Sequence, residues 1–144
     1  EIIISFKETS SKNISLISID NKNNFDFQRS PELIYGLRNF IGNAVKFSKS
    51  VVEIVLISDK KNIQIRINDN GPGFPGDIKE VIGEPYIRSK SRQVSSNSGT
   101  GLGTFLGKTL LERKSAYLEF TKDPKLGGAS VIINWNVDNL KFNA

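Results

Sequence analysis

The sequence predicts a two-layer α/β (α+β) sandwich, in which helices cover one face of a sheet. Three observations predict it: strand-like segments outnumber helical ones, the helical segments interrupt them, and 144 residues suffice for one domain with a hydrophobic core. The chain contains no internal repeat and no low-complexity tract. We therefore expect a single domain over residues 1–144.

Six segments have the composition of β-strands, with β-branched and aromatic residues between turn-forming residues. They are Ile2–Phe6, Ile14–Ile19, Val51–Ser58, Ile63–Asp69, Tyr117–Thr121 and Ala129–Trp135. A polar turn at 59–62 separates the third and fourth segments. A loop containing Pro124, Gly127 and Gly128 separates the last two.

Two segments have helical patterns. The first begins after Ser30, which can cap a helix, and Pro31 fits its first turn. It is predicted to end at about Ser48. Its apolar residues recur at helical spacing and form one predicted core face: Leu33, Leu37, Phe40, Ile41 and Ala44. The second predicted helix is Leu102–Lys114, whose apolar residues also follow the helical period.

The net charge of +5 is concentrated in one part of the chain. Residues 85–114 contain six basic residues and one acidic residue, while basic and acidic residues are equal in number elsewhere. A duplex-binding surface would need a recognition helix or interleaved aromatic residues, and the segment has neither. Two interpretations remain: the segment binds a smaller anion such as a polyphosphate, or it is an ordinary solvated face.

The composition excludes several classes of site. Without Cys the chain has no disulfide, thiolate metal site or cysteine nucleophile, and without His it has no imidazole base. A metal would have to be held by oxygen atoms, which favours Mg²⁺ or Ca²⁺. No apolar run approaches 18 residues and no signal-peptide pattern is present. Because the chain starts at Glu1 and contains no Met, we expect a piece of a longer protein.

A polar stripe runs along the first predicted helix beside its core face. Asn39, Asn43 and Lys46 follow one another at helical spacing, and Phe47 borders them. Asn is unfavourable inside helices because its amide competes with the backbone. Two interpretations are open: the amides bond a neighbouring loop, or the stripe offers an oxygen ligand to a hard cation and a Lys to phosphate.

An aspartate ends an apolar strand face. The two-residue period places Asp69 on the same face as the isoleucines at 63, 65 and 67, so its carboxylate must find donors. Gly71 and Gly73 follow in a turn that permits close approach of another molecule. Asp69 could therefore accept from an exocyclic amine such as that of adenine, or it could cap its own turn.

A glycine-rich loop at 99–103 leads into the second predicted helix, and free amides at a helix start favour an anion. The spacing fits neither a dinucleotide fingerprint nor a P-loop. The preceding stretch, 84–99, is long, polar and rich in Ser, and contains Arg88 and Lys90. It has the character of a mobile lid.

Four segments, in chain order, resemble the N, G1, F and G2 boxes of the ATP-binding catalytic domain of sensor histidine kinases. They are Leu37–Phe47, Asp69–Phe74, Gly83–Tyr86 and Gly99–Gly103. Each box alone is a weak signal, whereas four in this order are highly specific. This HATPase_c (GHKL) domain, with the Bergerat fold, also occurs in gyrase, Hsp90 and MutL. Segments 32–37, 83–86 and 108–113 further resemble the redox-responsive RegB/PrrB subfamily.

The resemblance implies a mixed sheet of about five strands, about three helices on one face and a flexible ATP lid at about 84–101. It implies ATP and Mg²⁺ as cofactors. Asn43 would hold Mg²⁺ through its amide oxygen, Asn39 would support the metal and the phosphates, and Lys46 would contact phosphate. These three are the implied catalytic residues.

At the adenine end, the resemblance implies that Phe47 packs on the base and Asp69 accepts from its amino group. Gly71 and Gly73 would shape the pocket. The remaining implied nucleotide contacts are Tyr86, Arg88, Lys90, Gly99, Thr100, Gly101, Leu102 and Gly103. Tyr86 stands where the family usually has Phe, and Thr104 stands where Leu is common.

The resemblance also implies a kinase rather than an ATPase. Hydrolases of the superfamily carry a water-activating Glu at the position that Asn39 occupies here, and an amide cannot accept the proton. In the kinases the acceptor is a His on a separate dimerisation domain. This chain has no His, so we expect it to bind ATP without phosphorylating itself.

The implied partners are the protein's own dimerisation and phosphoacceptor domain and a downstream response regulator, within a full-length homodimer. Neither nucleic acid nor direct membrane contact is expected, and the implied location is the cytoplasmic part of a bacterial sensor anchored in the inner membrane. The sequence leaves three alternatives open: a conformational ATPase of the gyrase or Hsp90 kind, a partner-binding module without ATP, and a serine kinase acting on an anti-anti-sigma factor.

Overall fold

A five-stranded sheet organises the chain in the computed structural model, which describes residues 2–20, 30–59, 61–73 and 102–136. The elements in chain order are α1 (Ile2–Thr9), β1 (Asn13–Asp20), α2 (Pro31–Phe47), β2 (Val51–Ser58), β3 (Asn62–Asp69), α3 (Leu102–Arg113), β4 (Tyr117–Lys122) and β5 (Ala129–Asn136). Within these ranges, no helix is both long and apolar enough to cross a membrane.

The sheet is mixed, with the strand order β1-β2-β3-β5-β4. β1 and β2 are parallel, and the other three neighbouring pairs are antiparallel. Parallel neighbours need a crossover connection, and α2 lies between β1 and β2 in the chain. The predicted α/β sandwich with about five strands and three helices is confirmed.

The ends of α2 follow the signals in its sequence. Ser30 Oγ accepts a hydrogen bond from the Leu33 amide at 3.2 Å, and Pro31 opens the first turn. At the other end, Ser48 leaves the helix in an extended conformation with φ −64° and ψ 153°. The predicted helix and its end at about Ser48 are therefore confirmed.

The core lies between the helices and one face of the sheet. Phe40, Ile41 and Ala44 of α2 are buried against alternate residues of the central strands. The other members of this cluster are Ile14, Val52, Ile54, Ile63, Ile67, Leu111, Val131, Ile133 and Trp135. Leu33 and Leu37 pack against it while partly exposed. The core face predicted for the first helix is confirmed.

The prediction of a strand at Ile2–Phe6 is wrong, because these residues belong to helix α1. Ile3 and Phe6 both pack against the core. Residues three apart share one face of a helix but point to opposite faces of a strand, so only the helix buries both. The Phe6 ring also lies against α2, since a Cβ placed on Gly42 would be 3.6 Å from it. Tertiary packing here overrides the β-propensity of the isoleucines.

Helices α2 and α3 approach each other through glycines. A Cβ on Gly36 would lie 2.5 Å from Leu111 Cγ, and a Cβ on Gly107 would lie 3.1 Å from Asn39 Cβ. Both positions are buried. The absence of side chains there lets α3 lie directly beside the part of α2 that carries the polar stripe.

Candidate functional site

The predicted polar stripe of α2 begins at Asn39, which lies beside α3. Asn39 and Asn43 are half-buried, and Lys46 is exposed at the end of the helix. Asn39 Nδ2 donates to the Tyr35 carbonyl at 2.8 Å. This bond stays within the helix, unlike the loop contact considered from the sequence, and it uses the amide nitrogen rather than the oxygen that a cation would need.

A cation and an aromatic ring lie together where α2 ends. The Lys46 ammonium is 5.5 Å from the centroid of the Phe47 ring, within the range of a cation–π contact. Phe47 itself is half-buried. A ligand reaching this end of α2 would therefore meet a positive charge and an aromatic face side by side.

Asp69 is buried, with 4% of its surface exposed, at the end of β3. Its Oδ1 accepts a hydrogen bond from the Gly71 amide at 2.8 Å and another from the Ala129 amide at 3.2 Å. The first bond is the turn-capping contact considered from the sequence. A carboxylate has two oxygens and about four acceptor positions, so these bonds are compatible with a further donor.

The turn after β3 is enclosed by backbone on two sides. A Cβ on Gly71 would lie 2.3 Å from the Phe47 carbonyl oxygen, and a Cβ on Gly128 would lie 2.3 Å from the Asp69 carbonyl oxygen. Gly73 follows with a φ of +80°, in the left-handed region that favours glycine. Gly71 and Gly73 therefore shape this turn, and the contact of Gly71 joins the end of α2 to Asp69.

Two neighbouring residues of this site were not assigned a role from the sequence. Gly128, in the loop before β5, lets the backbone reach Asp69, and only its pairing with Gly127 hinted at a special turn. Asn70 Oδ1 accepts from three successive amides, those of Lys49, Ser50 and Val51. The sequence places Asn70 between Asp69 and Gly71, but no local pattern reveals a partner twenty residues away in the chain.

Several predicted site residues lie outside the part of the chain that the structure describes. They are Tyr86, Arg88, Lys90, Gly99, Thr100 and Gly101, and with them the predicted lid at 84–101. Leu102 and Gly103 form the start of α3. The first amides of an α-helix have no intrahelical acceptor, so this helix start suits an anion.

One cation of the basic segment at residues 85–114 forms an ion pair within α3. Lys108 Nζ lies 3.1 Å from Glu112 Oε1, one turn further along α3. This is an exposed i,i+4 pair of the kind that typically contributes little to stability. For Lys108 the solvated-face interpretation therefore applies, and its charge is already partly compensated.

No cluster of three or more His, Cys, Asp or Glu residues that could hold a metal occurs within the described ranges. A protein-only metal cage is thus not formed by these residues. Mg²⁺ often takes only one or two protein ligands, keeps several waters and binds substrate phosphates. The half-buried Asn43 carries an amide oxygen, which is the type of ligand that a Mg²⁺ site with few protein ligands can use.

The sequence of residues 28–139 matches the family described as "Histidine kinase-, DNA gyrase B-, and HSP90-like ATPase". The chain belongs to this family. The match spans the polar stripe, the Asp69 turn and α3, so the resemblance recognised from the four boxes is confirmed.

Sensor histidine kinases are among the similar proteins. RegB of Cereibacter sphaeroides is 41% identical over 127 residues, which are 78% of this chain and 28% of that protein. CpxA of Escherichia coli K12 is 28% identical over 116 residues, 75% of this chain and 25% of that protein. The chain thus spans about a quarter of the length of these relatives. The predicted similarity to RegB is confirmed at the level of sequence.

Solved histidine kinase structures show the same fold. The catalytic domain of ThkA in a nucleotide-free form matches with a TM-score of 0.73 at 18% identity, covering 94% of this chain and 88% of that one. A mycobacterial sensor histidine kinase, MprB, matches with a TM-score of 0.71 at 21% identity, covering 92% and 87%. These likenesses establish the architecture of the family in this chain.

Proposed function

We propose that this ATPase-family domain binds Mg-ATP and supplies the γ-phosphoryl group to a histidine of a two-component sensor kinase. The observation that carries the proposal is the contact of Gly71 with the Phe47 carbonyl. It brings the aromatic and cationic end of α2 to the buried Asp69 carboxylate, so one wall of a site contains groups suited to both ends of a nucleotide.

Asp69 and Phe47 would bind the adenine end. The 6-amino group of adenine is a donor, which an acceptor-only carboxylate can bind, whereas guanine presents a carbonyl oxygen at the equivalent position. The Phe47 ring would pack against the base. Gly71 would shape the pocket by admitting the Phe47 carbonyl beside Asp69, and Gly73 by its positive φ in the turn.

The other end of the site would bind the triphosphate. Asn43 would hold Mg²⁺, Asn39 would support the metal and the phosphates, and Lys46 would contact a phosphate. Bound Mg²⁺ would neutralise charge on the phosphates during transfer. The remaining proposed contacts are Tyr86, Arg88 and Lys90 of the lid and the backbone at Gly99, Thr100, Gly101, Leu102 and Gly103.

Asn39 favours phosphoryl transfer over hydrolysis. Its amide cannot take a proton from water, and its nitrogen is already bonded to the Tyr35 carbonyl. The γ-phosphate would therefore persist until a separate acceptor arrives. We propose that this acceptor is a His on the dimerisation domain of the same homodimeric sensor, which then passes the phosphoryl group to a response regulator on the cytoplasmic side of the membrane.

Calorimetric titration with a non-hydrolysable ATP analogue, with and without Mg²⁺, tests the binding step. The wild-type domain should bind in a Mg²⁺-dependent manner, and Asn43→Ala should weaken binding strongly and abolish the Mg²⁺ dependence. Asn62→Ala, at the exposed start of β3, is the matched control and should bind normally. Equal affinities for Asn43→Ala and wild type would exclude the metal role, and a flat wild-type titration would exclude the function.

The transfer step is tested by adding the cognate dimerisation domain and labelled ATP. An acid-labile phosphohistidine on that domain is the expected product. An acid-stable phosphoserine would instead indicate a serine kinase, and steady ATP turnover without an acceptor would indicate a conformational ATPase.

A further inference from the structure

The backbone between α2 and β2 is bonded from two sides. We call residues 45–51 the α2–β2 turn. Its first residues belong to the last turn of α2 and include Lys46 and Phe47, and its last residue opens β2. Two side chains from distant parts of the chain bind this turn, one at its carbonyl groups and one at its amides.

Lys12 binds the carbonyl groups. Its ammonium donates to the carbonyl oxygens of Val45, Ser48 at 2.7 Å and Lys46 at 3.3 Å. The last carbonyls of a helix have no intrahelical donor, and a cation is favourable at this negative end of the helix dipole. Lys12 therefore donates to three carbonyls at the end of α2, of which that of Val45 also accepts from Ser48 Oγ at 3.0 Å.

Asn70 binds the amides. Its Oδ1 accepts from the amides of Lys49, Ser50 and Val51, each at 3.0 Å, and its Nδ2 donates to Ser50 Oγ at 3.0 Å. Its own amide donates to the Val51 carbonyl at 3.3 Å. One side chain thus fixes three successive backbone groups beside the turn that contains Asp69.

We propose that Lys12 and Asn70 are positioning residues that hold the nucleotide-contacting end of α2 in register with Asp69. Neither needs to touch the nucleotide. Lys12 fixes the backbone that carries Lys46 and Phe47. Asn70, the residue next to Asp69, fixes the same turn to the end of β3. The inference rests on the proposed nucleotide binding and adds to it that site geometry depends on these two side chains.

The test uses paired variants of the whole chain. Asn70→Ala removes the acceptor, whereas Asn70→Asp keeps an acceptor oxygen for the three amides. Lys12→Met removes the charge and donors, whereas Lys12→Arg keeps both. Lys61→Met and Asn62→Ala are matched controls, because both residues are exposed at the opposite end of β3.

Two measurements are made at a temperature where every variant is folded. Hydrogen exchange reports on the amides of residues 49–51 in the nucleotide-free protein. Affinity is measured for ADP by calorimetry and for adenosine by NMR titration, since the uncharged adenosine is insensitive to the charge changes in Asn70→Asp and Lys12→Met.

We expect Asn70→Ala to accelerate exchange at residues 49–51 and to weaken adenosine and ADP about tenfold, the scale of one lost hydrogen-bonding group. Asn70→Asp should restore both. Lys12→Met should weaken both ligands and Lys12→Arg should largely restore them, while the two controls match the wild type.

Unchanged affinities in Asn70→Ala and Lys12→Met, despite faster exchange, would overturn the positioning role. Equal losses in the rescue variants or the controls would do the same, because the effect would then be general destabilisation. If the wild type binds neither ligand, the proposed function fails, and the exchange data separately show whether the two side chains hold the turn.

Discussion

Substitution of Gly128 by Ala tests how the Asp69 turn is built. The added methyl group would lie 2.3 Å from the Asp69 carbonyl oxygen, 2.5 Å from Asp69 Oδ1 and 2.6 Å from the Gly71 amide nitrogen. Two of these atoms are backbone, so the clash cannot be relieved by rotating a flexible side chain. Either the loop before β5 must move away or Asp69 must give up its bonds.

The expected cost is about 2–6 kcal/mol of unfolding free energy. Overpacking a tight site typically costs about 1–3 kcal/mol. Displacement of the loop or of Asp69 would also weaken the bonds from the Gly71 and Ala129 amides to Asp69 Oδ1, at about 0.5–1.5 kcal/mol each. Affinity for adenine nucleotides should fall as well, because Asp69 is displaced.

The neighbouring glycine provides a matched control. Gly127 has a φ of +84° but nothing within 4 Å of a Cβ placed on it. Gly127→Ala should therefore cost only the conformational penalty of about 1–2 kcal/mol, and nucleotide affinity should be unchanged.

Urea denaturation of both variants, with equal m-values, measures the difference. If Gly127→Ala is as destabilising as Gly128→Ala, or if Gly128→Ala leaves stability unchanged, the close approach of this loop to Asp69 is not what requires glycine.

Three further predictions concern other parts of the chain. Asp69→Asn keeps an acceptor for the Gly71 and Ala129 amides, so the free energy of unfolding should change little. The preference for ATP over GTP, measured by calorimetry, should fall by about 1–3 kcal/mol. An unchanged preference would exclude adenine recognition by this carboxylate. Gly107→Ala should push α3 away from Asn39 and lower the free energy of unfolding by about 1–3 kcal/mol. The higher helix propensity of Ala should offset up to about 1 kcal/mol of this loss. A net rise in stability in thermal unfolding would contradict the close packing. Two backbone amides lower the pKa of Asp59 below its ordinary value of 3.8. The ionised carboxylate therefore contributes to folding stability above pH 3.8, and this contribution is lost as the pH falls through the lowered pKa. The stability difference between wild type and Asp59→Ala should therefore shrink below that pH in acid titration, and a difference that grows there would contradict this.

Much of the fold could be predicted because its signals are local. The Ser30-Pro31 start of α2 and the apolar alternation of β3 each depend on neighbouring residues. The error at Ile2–Phe6 shows the limit. Its isoleucines favour a strand locally, but the cluster that buries Ile3 and Phe6 lies elsewhere in the chain.

The site was predicted less completely because its geometry depends on long-range contacts. Asp69 could be identified as a carboxylate ending an apolar face, but its bond to the Ala129 amide spans 60 residues. Lys12 reaches Val45 across 33 residues, and no spacing rule connects them. The sequence could therefore identify residues with suitable chemistry, whereas the residues that hold them in place required the structure.

The contact between Gly36 and Leu111 has a consequence for variation and design. The fully buried Leu111 occupies the volume that a side chain at position 36 would need, since its Cγ and Cδ2 lie 2.5 and 2.7 Å from a Cβ placed there. The two positions share one volume and are expected to vary as a pair. A residue larger than Gly at 36 would need a smaller one at 111 and also a small shift of the Gly107 carbonyl oxygen, which lies 3.2 Å from the same Cβ. Redesign of either helix surface must therefore treat positions 36 and 111 together.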